Sequence, residues 1–211
     1  MDRSFRDNLS LTYDRQAAVR DGAPVQDWKV RERAAFLAEL QKENKRTLLE
    51  IGSGPGRDGR FFQDQGFDVT CIDLSPEMVR LCRDKGLNAR VMDMTELDFP
   101  PGSFDAVYAM NSLLHLTKAE LPAVLRRISS VLRPEGLFFM EVYGGYDFEG
   151  IWEPDNNDPK RFFSLFSDEH LKQVVSQVFD LLSFRTVELS DRGEGQHSQS
   201  LLLRKKPEPK G

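Results

Sequence analysis

Residues Leu48-Leu49-Glu50-Ile51-Gly52-Ser53-Gly54-Pro55-Gly56-Arg57-Asp58 constrain the fold more than any other stretch, because an apolar strand runs into three glycines at alternate positions and then into a helix. Glycine has no Cβ and tolerates positive φ, so such a turn brings main-chain N–H groups close to something flat or charged at a helix N-terminus. The spacing selects among ligands. A dinucleotide loop reads G-x-G-x-x-G/A with its third small residue inside the helix, where this chain has Arg57, and Pro55 removes one donor from the loop. The G-x-x-x-x-G-K-[ST] phosphate loop is not matched either. A ligand with a pyrophosphate or triphosphate is disfavoured. A second apolar run, Phe67 to Ile72, ends at Asp73, near the spacing at which an acid reaches ribose hydroxyls in such sheets. The expected ligand has a ribose and no phosphate chain.

The hydrophobic pattern alternates strands and helices around this loop. Strands are expected at 47–51, 67–72, 88–92, 104–109 and 136–142, with helices at 57–65, 75–85 and 118–132. This interleaving implies parallel pairing with right-handed crossovers, an α/β doubly wound Rossmann-like sheet with helices on both faces. Ser75 before Pro76 fits a helix cap, and Phe99-Pro100-Pro101-Gly102 breaks the link between the third and fourth strands into a loop or single turn. Further on, a helix is expected at 168–177 with Ser167 as its cap, then strands at 179–188 and 197–204. At the N-terminus a polar stretch over residues 1–26 leads into a helix over about residues 27–43, and residues 207–211 carry nothing that could pack, so they are expected to be disordered.

Length and charge narrow the function. At 211 residues the chain suits one well-buried domain, and 39% hydrophobic with 30% charged residues is ordinary for a soluble fold. A net charge of −5 argues against holding a nucleic acid backbone, so no nucleic acid partner is expected. The first residues lack the apolar core of a signal peptide and no run approaches the ~20 apolar residues of a membrane span, which leads us to expect a cytoplasmic protein without a membrane partner. Cys71 and Cys82 have neither C-x-x-C spacing nor neighbouring histidines; they read as small core residues, and no metal site is visible.

The glycine stretch and the segments after it resemble the class I S-adenosylmethionine-dependent methyltransferases, particularly the small single-domain members. The resemblance rests on Glu50-x-Gly52-x-Gly54-x-Gly56, Ile72-Asp73-Leu74-Ser75-Pro76-Glu77-Met78, Met92-Asp93-Met94, Ser103-Phe104-Asp105-Ala106-Val107 and Val131-Leu132-Arg133-Pro134-Glu135-Gly136-Leu137, in the family's order across residues 47 to 142. It implies a single domain over residues 1–206, a seven-stranded sheet closed by a C-terminal antiparallel hairpin, an N-terminal helical lid over 1–43 and a substrate cap over 143–167. The implied cofactor is S-adenosyl-L-methionine. By matching positions, Glu50, Gly52, Ser53, Gly54 and Gly56 would shape the loop and the methionine end, Asp73 would accept from the ribose, and Asp93 from the adenine amino group. Leu74 and Met94 would clamp the adenine, with Met78 beside them in the same motif. Tyr13 resembles a tyrosine that reaches the cofactor carboxylate, Arg33 is a second candidate for that carboxylate, and Asn111 follows the fourth strand where the cofactor's amino group and the substrate meet.

A sulfonium methyl is already activated, so a transferase mainly aligns an acceptor and excludes water. If a proton must leave the acceptor, His115 after the fourth strand and His197 at the start of the last strand are the candidate bases, whereas His170 lies in an expected helix. The segment from Tyr143 to Phe166 is dense in aromatics, and Tyr143, Tyr146 and Trp152 are its candidate substrate contacts. No Asn/Asp-Pro-Pro-Tyr-like motif follows the fourth strand, where Met110-Asn111-Ser112-Leu113 stands, so methylation of nucleic acid bases is disfavoured. The reading is methyl transfer to an oxygen or nitrogen of a small molecule. The alternative is a non-catalytic module that binds S-adenosylmethionine, and Arg57 argues against a nicotinamide cofactor.

Overall fold

The computed structural model describes residues 3–189 and 195–207. Two helices open the chain, α1 (Arg3–Gly22) and α2 (Asp27–Lys42). The alternating part follows as β1 (Thr47–Ile51), α3 (Arg57–Asp64), β2 (Asp68–Asp73), α4 (Pro76–Asp84), β3 (Asn88–Val91), β4 (Phe104–Met110), α5 (Leu121–Val131) and β5 (Leu132–Gly144). The chain then forms β6 (Phe148–Ile151), β7 (Phe162–Leu165), α6 (Asp168–Val175), β8 (Phe179–Glu188) and β9 (His197–Lys205).

Seven strands form one sheet in the order β3-β2-β1-β4-β5-β9-β8. The first five pair in parallel, while β9 runs antiparallel to both β5 and β8, so the sheet ends in the C-terminal antiparallel hairpin. Strand β1 pairs on one side with β2, Leu48 opposite Val69, and on the other with β4, Leu48 opposite Ala106. The order reverses there, and the crevice beyond the carboxyl ends of β1 and β4 is the place where ligands bind in open α/β sheets.

Both faces of the sheet are covered, which is why the central strands read as continuous apolar runs. Along β4 the side chains alternate: Ala106 and Tyr108 face α2 and α3, and Val107 and Ala109 face α5 and α6. On the first face Tyr108 stacks on Phe139 with ring centroids 5.1 Å apart and packs against Phe36 and Phe62. On the second, Leu125, Ile128 and Val175 close over Phe138 and Leu201.

Local chemistry fixes the element ends nearest the crevice. Ser75 caps α4, its Oγ accepting the Met78 amide at 3.1 Å with Pro76 in the first turn. Asp93 starts a single 3₁₀ turn at Met94–Glu96 by accepting the Thr95 amide at 2.8 Å. Ser167 stands at the start of α6 without a side-chain cap bond, unlike the sequence expectation. Helix α5 begins at Leu121, because Thr117 and Glu120 bond each other through Thr117 N and Oγ1 and hold residues 117–120 as a turn. Strand β5 begins at Leu132, earlier than 136. It pairs Leu132 with Phe104, loops out around Glu135 at φ 59°, and resumes with Leu137 opposite Ala106. The segment after β5 adds a two-stranded ribbon, β6 with β7, that the sequence did not reveal. Residues 208–211 of the expected tail lie outside the described residues. No helix among the described residues is long and apolar enough to cross a membrane.

Candidate active site

The loop after β1 is held by main-chain bonds: the Gly52 and Ser53 amides both donate to Ile72 O, at 2.8 and 3.0 Å. Asp73 then ties the loop to α4, Oδ2 accepting the Gly54 amide at 2.8 Å and Oδ1 the Ser75 amide at 2.9 Å. The glycines differ in purpose. A Cβ on Gly52 would lie 2.3 Å from Ser112 Cβ, and one on Gly56 would strike Leu87 and Cys82 at 2.7 and 2.8 Å, so both are demanded by packing. A Cβ on Gly54, at φ 53°, would meet nothing within 4 Å because this residue opens onto the cleft.

The cleft is lined by an apolar set and a cationic set of side chains. Leu9, Leu74, Met78 and Met94 form the first, beside Asp73. Arg20, Lys29 and Arg57 form the second and face the space near Glu50 and Asp58. Burial, reinforced by Asp58 and Cys82, pushes the Glu50 carboxyl well above the usual carboxylate range, and the Cys71 thiol donates to its Oε2 at 3.4 Å. Asp58 is occupied by Arg33, Nη1 to Oδ1 at 2.6 Å.

The third wall follows β4. Asn111, at the left-handed φ of 56°, buries both amide atoms without a partner and lines the cleft. Its neighbour His115 is fixed by Phe162 O, 2.8 Å from Nδ1; a carbonyl only accepts, so Nδ1 carries the proton and Nε2 accepts the Tyr13 hydroxyl at 2.6 Å. Burial, aided by Arg161 and Arg20 against the Phe162 bond, pushes the His115 pKa down to about 3. Arg161 donates to the Tyr13 oxygen at 3.3 Å and forks onto Asp155 at 2.8 and 3.1 Å.

Helix α1 spans the cleft between these walls. Arg6 bonds Asp93 and Glu120, and Ser10 Oγ donates to Leu74 O at 3.2 Å; across the opening, Thr12 Oγ1 donates to Pro159 O at 2.6 Å. Leu9, Tyr13 and Arg20 recur at the spacing of one helix face, and that face points into the cleft.

This fold has counterparts among known proteins. A methyltransferase-domain family matches residues 48–136. The methyltransferase YqeM of Bacillus subtilis is 30% identical over 157 residues, 69% of this chain and 61% of that protein. A ubiquinone biosynthesis O-methyltransferase of Xanthomonas campestris is 35% identical over 102 residues, 45% of this chain and 42% of the other. A solved 1,6-didemethyltoxoflavin-N1-methyltransferase of Burkholderia thailandensis, with 1,6-didemethyltoxoflavin and S-adenosylhomocysteine bound, shares the fold at TM-score 0.74 and 24% identity, over 96% of this chain and 87% of that one. Residues 48–136 match a methyltransferase domain, and the chain shares the fold of the class I methyltransferases. It spans less than two thirds of the length of these two curated relatives.

S-adenosylmethionine is the cofactor of this methyltransferase family, and the cleft suits it on two observations of its own: the bare main chain at Gly54 and the unpartnered Asn111 amide. Of the residues the sequence singles out, Tyr13, Glu50, Gly52, Ser53, Gly54, Asp73, Leu74, Met78, Met94, Asn111 and His115 all line this one cleft. Others stand apart from its lining. Gly56 is turned into the packing beneath the loop, Arg33 is paired with Asp58, and both Asp93 oxygens are engaged, by Arg6 and Thr95. His197 bonds Asp168 at 2.8 Å, away from His115. Tyr143 is buried, Tyr146 is exposed, and Trp152 packs on Phe148 and Phe163, the latter ring lying 4.9 Å from His115. The sequence reading missed Leu9, Arg20 and Lys29; the helical spacing of Leu9, Tyr13 and Arg20 was the available signal for the first two. No three His, Cys, Asp or Glu side chains gather as metal ligands among the described residues.

Proposed function

We propose that the protein transfers a methyl group from S-adenosylmethionine to an oxygen or nitrogen nucleophile of a small molecule. The observation that carries this reading is the bare Gly54 main chain opening onto a cleft beside Asp73, a surface for a ribose-bearing ligand without phosphates. Asp73 accepts from the ribose with the lone pairs left over from Gly54 and Ser75, Leu74 and Met94 flank the adenine, and Asn111 offers its free amide to the amino-acid end. When bound, the cofactor supplies an activated methyl. The protein's part is to orient the acceptor and receive its proton.

Tyr13 and His115 give that proton a path, hydroxyl to Nε2. With Nδ1 protonated against Phe162 O, the unprotonated Nε2 is the end of that path, and a phenol-like hydroxyl or a ring N–H is the acceptor class proposed to feed it. Similarity to the ubiquinone biosynthesis O-methyltransferase and the 1,6-didemethyltoxoflavin-N1-methyltransferase supports acceptors of this size.

Calorimetric titration with S-adenosylmethionine, S-adenosylhomocysteine and NADH tests the cofactor, followed by a methyl-transfer screen over phenols, ring N–H heterocycles and aliphatic amines. Selective binding of the sulfur ligands with turnover on phenols or heterocycles is expected. Preference for NADH would overturn the reading, and tight sulfur-ligand binding with no transfer to any acceptor would favour the non-catalytic module.

A further inference from the structure

The hydrogen bonds around Tyr13 run in one direction only. A carbonyl accepts and never donates, so Phe162 O fixes the His115 proton on Nδ1, Nε2 is left as an acceptor, and the Tyr13 hydroxyl commits its single proton to Nε2 at 2.6 Å. Arg161 closes the chain from the other side, its Nη1 donating to the Tyr13 oxygen at 3.3 Å. A guanidinium has donors and no acceptor, so neither end of the chain can reverse. Tyr13 lines the cleft, and what its oxygen shows there is lone-pair density without a proton.

The connection from β6 to β7 holds Arg161 in this pose. Nε and Nη2 fork onto Asp155 at 2.8 and 3.1 Å, which leaves Nη1 as the edge turned to Tyr13. Asp155 is buried and also accepts the Arg161 amide at 2.9 Å; burial alone would raise its carboxyl, but the Arg161 bonds hold it at about 2. The same segment is docked on α1 beside Tyr13, where Thr12 Oγ1 donates to Pro159 O at 2.6 Å and Arg15 Nη1 to Asp158 O at 2.7 Å. Neither Arg161 nor Asp155 lines the cleft itself. We propose that Arg161, braced by Asp155, is a positioning residue that sets Tyr13 as a hydrogen-bond acceptor toward the cleft, so that the group Tyr13 meets there is the O–H or N–H of the methyl acceptor and not the carboxylate of the cofactor. A carboxylate would bring lone pairs against a lone pair, with the only hydroxyl proton already taken by His115. The inference rests on the methyl-transfer reading above and departs from the role that the family resemblance gives Tyr13.

Nitrogen-15 NMR of the His115 ring, taken without any ligand, should show the Nδ1-protonated tautomer in the wild-type protein. Tyr13→Phe should move the Nε2 signal, Arg161→Met should move it the same way, and Arg161→Lys, which keeps a charged donor, should bring it back. A ring protonated on Nε2, or an Nε2 signal indifferent to Arg161→Met in a folded variant, would overturn the positioning role; circular dichroism melts check the fold, and the wild-type tautomer needs no variant. In calorimetry, Tyr13→Phe should leave S-adenosylhomocysteine, and 5′-methylthioadenosine which lacks the amino-acid end, both within about 2-fold of wild type. A loss of about 10- to 100-fold confined to S-adenosylhomocysteine would put Tyr13 on the cofactor's amino-acid end and defeat the assignment. In the protein saturated with S-adenosylhomocysteine, phenol should move the His115 Nε2 signal and anisole, which has no hydroxyl proton, should not; an equal response to both, or none to either, would also overturn it. Failure of the wild-type protein to bind S-adenosylhomocysteine would defeat the cofactor reading instead, a distinct outcome because the ring-nitrogen pattern is read without ligand.

Discussion

The Asp73 carboxylate accepts the Gly54 amide at 2.8 Å, so the acid ending β2 and the bare loop after β1 form one hydrogen-bonded unit. Its other oxygen accepts the Ser75 amide at the start of α4. Removing this carboxylate loosens the loop, the helix start and the proposed ribose contact together. Asp73→Ala should weaken S-adenosylhomocysteine binding by about 1 to 3 kcal/mol and lower the melting temperature. Calorimetry and thermal melts read the two effects, and unchanged affinity in a folded variant would move the ribose site elsewhere.

The two cleft glycines should fail in different ways. Gly54→Val projects into open space, so it should abolish cofactor binding while costing stability only through its φ of 53°. Gly52→Ala drives a methyl to 2.3 Å from Ser112 Cβ at φ 69° and should destabilise the fold by on the order of 1 to 3 kcal/mol. Urea unfolding alongside ligand titration separates them; a Gly54→Val protein that binds normally contradicts the loop's proposed contact.

His115 should remain neutral throughout the physiological range. Burial holds its folded pKa at about 3 against an unfolded value of about 6.5. The unfolded chain gains a proton below that upper value and the folded chain refuses it, so His115 contributes full stability above about pH 6.5 and progressively less toward pH 3. The ring signals of His115 in heteronuclear NMR should hold neutral-imidazole shifts from about pH 8 down to about pH 5. An inflection near the unfolded value would show the ring to be open to water.

Glu141 runs with the opposite sign. Burial, opposed by the Ser198 bond and Lys29, raises its carboxyl to about 7. Between the unfolded value of about 4.3 and that point, the unfolded chain loses a proton the folded chain keeps, so stability falls as pH rises and then levels. Glu141→Gln keeps a neutral polar group opposite Ser198 and should be more stable than wild type by about 1 to 3 kcal/mol near pH 8, with the gain gone near pH 4. Chemical denaturation at the two pH values checks it; a loss of stability at both would mean the carboxylate is needed ionised.

Much of this molecule is legible in its sequence. The parallel strands could be read because their apolar runs are short and bounded by glycine, proline or an acid, and β8 follows its sequence expectation residue for residue, 179–188. The glycine loop was legible from its spacing along one strand and turn, and Asp73 because an acid ending the next parallel strand falls beside that loop. The ribbon of β6 and β7 was hidden: its strands are four residues each, and Phe148, Ile151 and Phe162 read equally well as loop aromatics. Lys29 was invisible for a different reason. A lysine in a helix is ordinarily a solvated surface residue, and only the folding of α2 against the end of β5 leaves its charge facing a cleft. Asp93 was legible as a residue but not its partner, since the Arg6 contact joins positions 87 residues apart.

Helix α1 is fastened at both margins of the cleft, through Arg6 and Ser10 on one side and Thr12 on the other. If a ligand's way out runs under this helix, its release requires several of these bonds to open together, a small cooperative unfolding event. Residence time would then follow how long the helix stays down more than the grip of any one group on the ligand. Changes at Arg6 or Thr12, which do not line the cleft, would alter how long a product lingers while leaving its recognition intact.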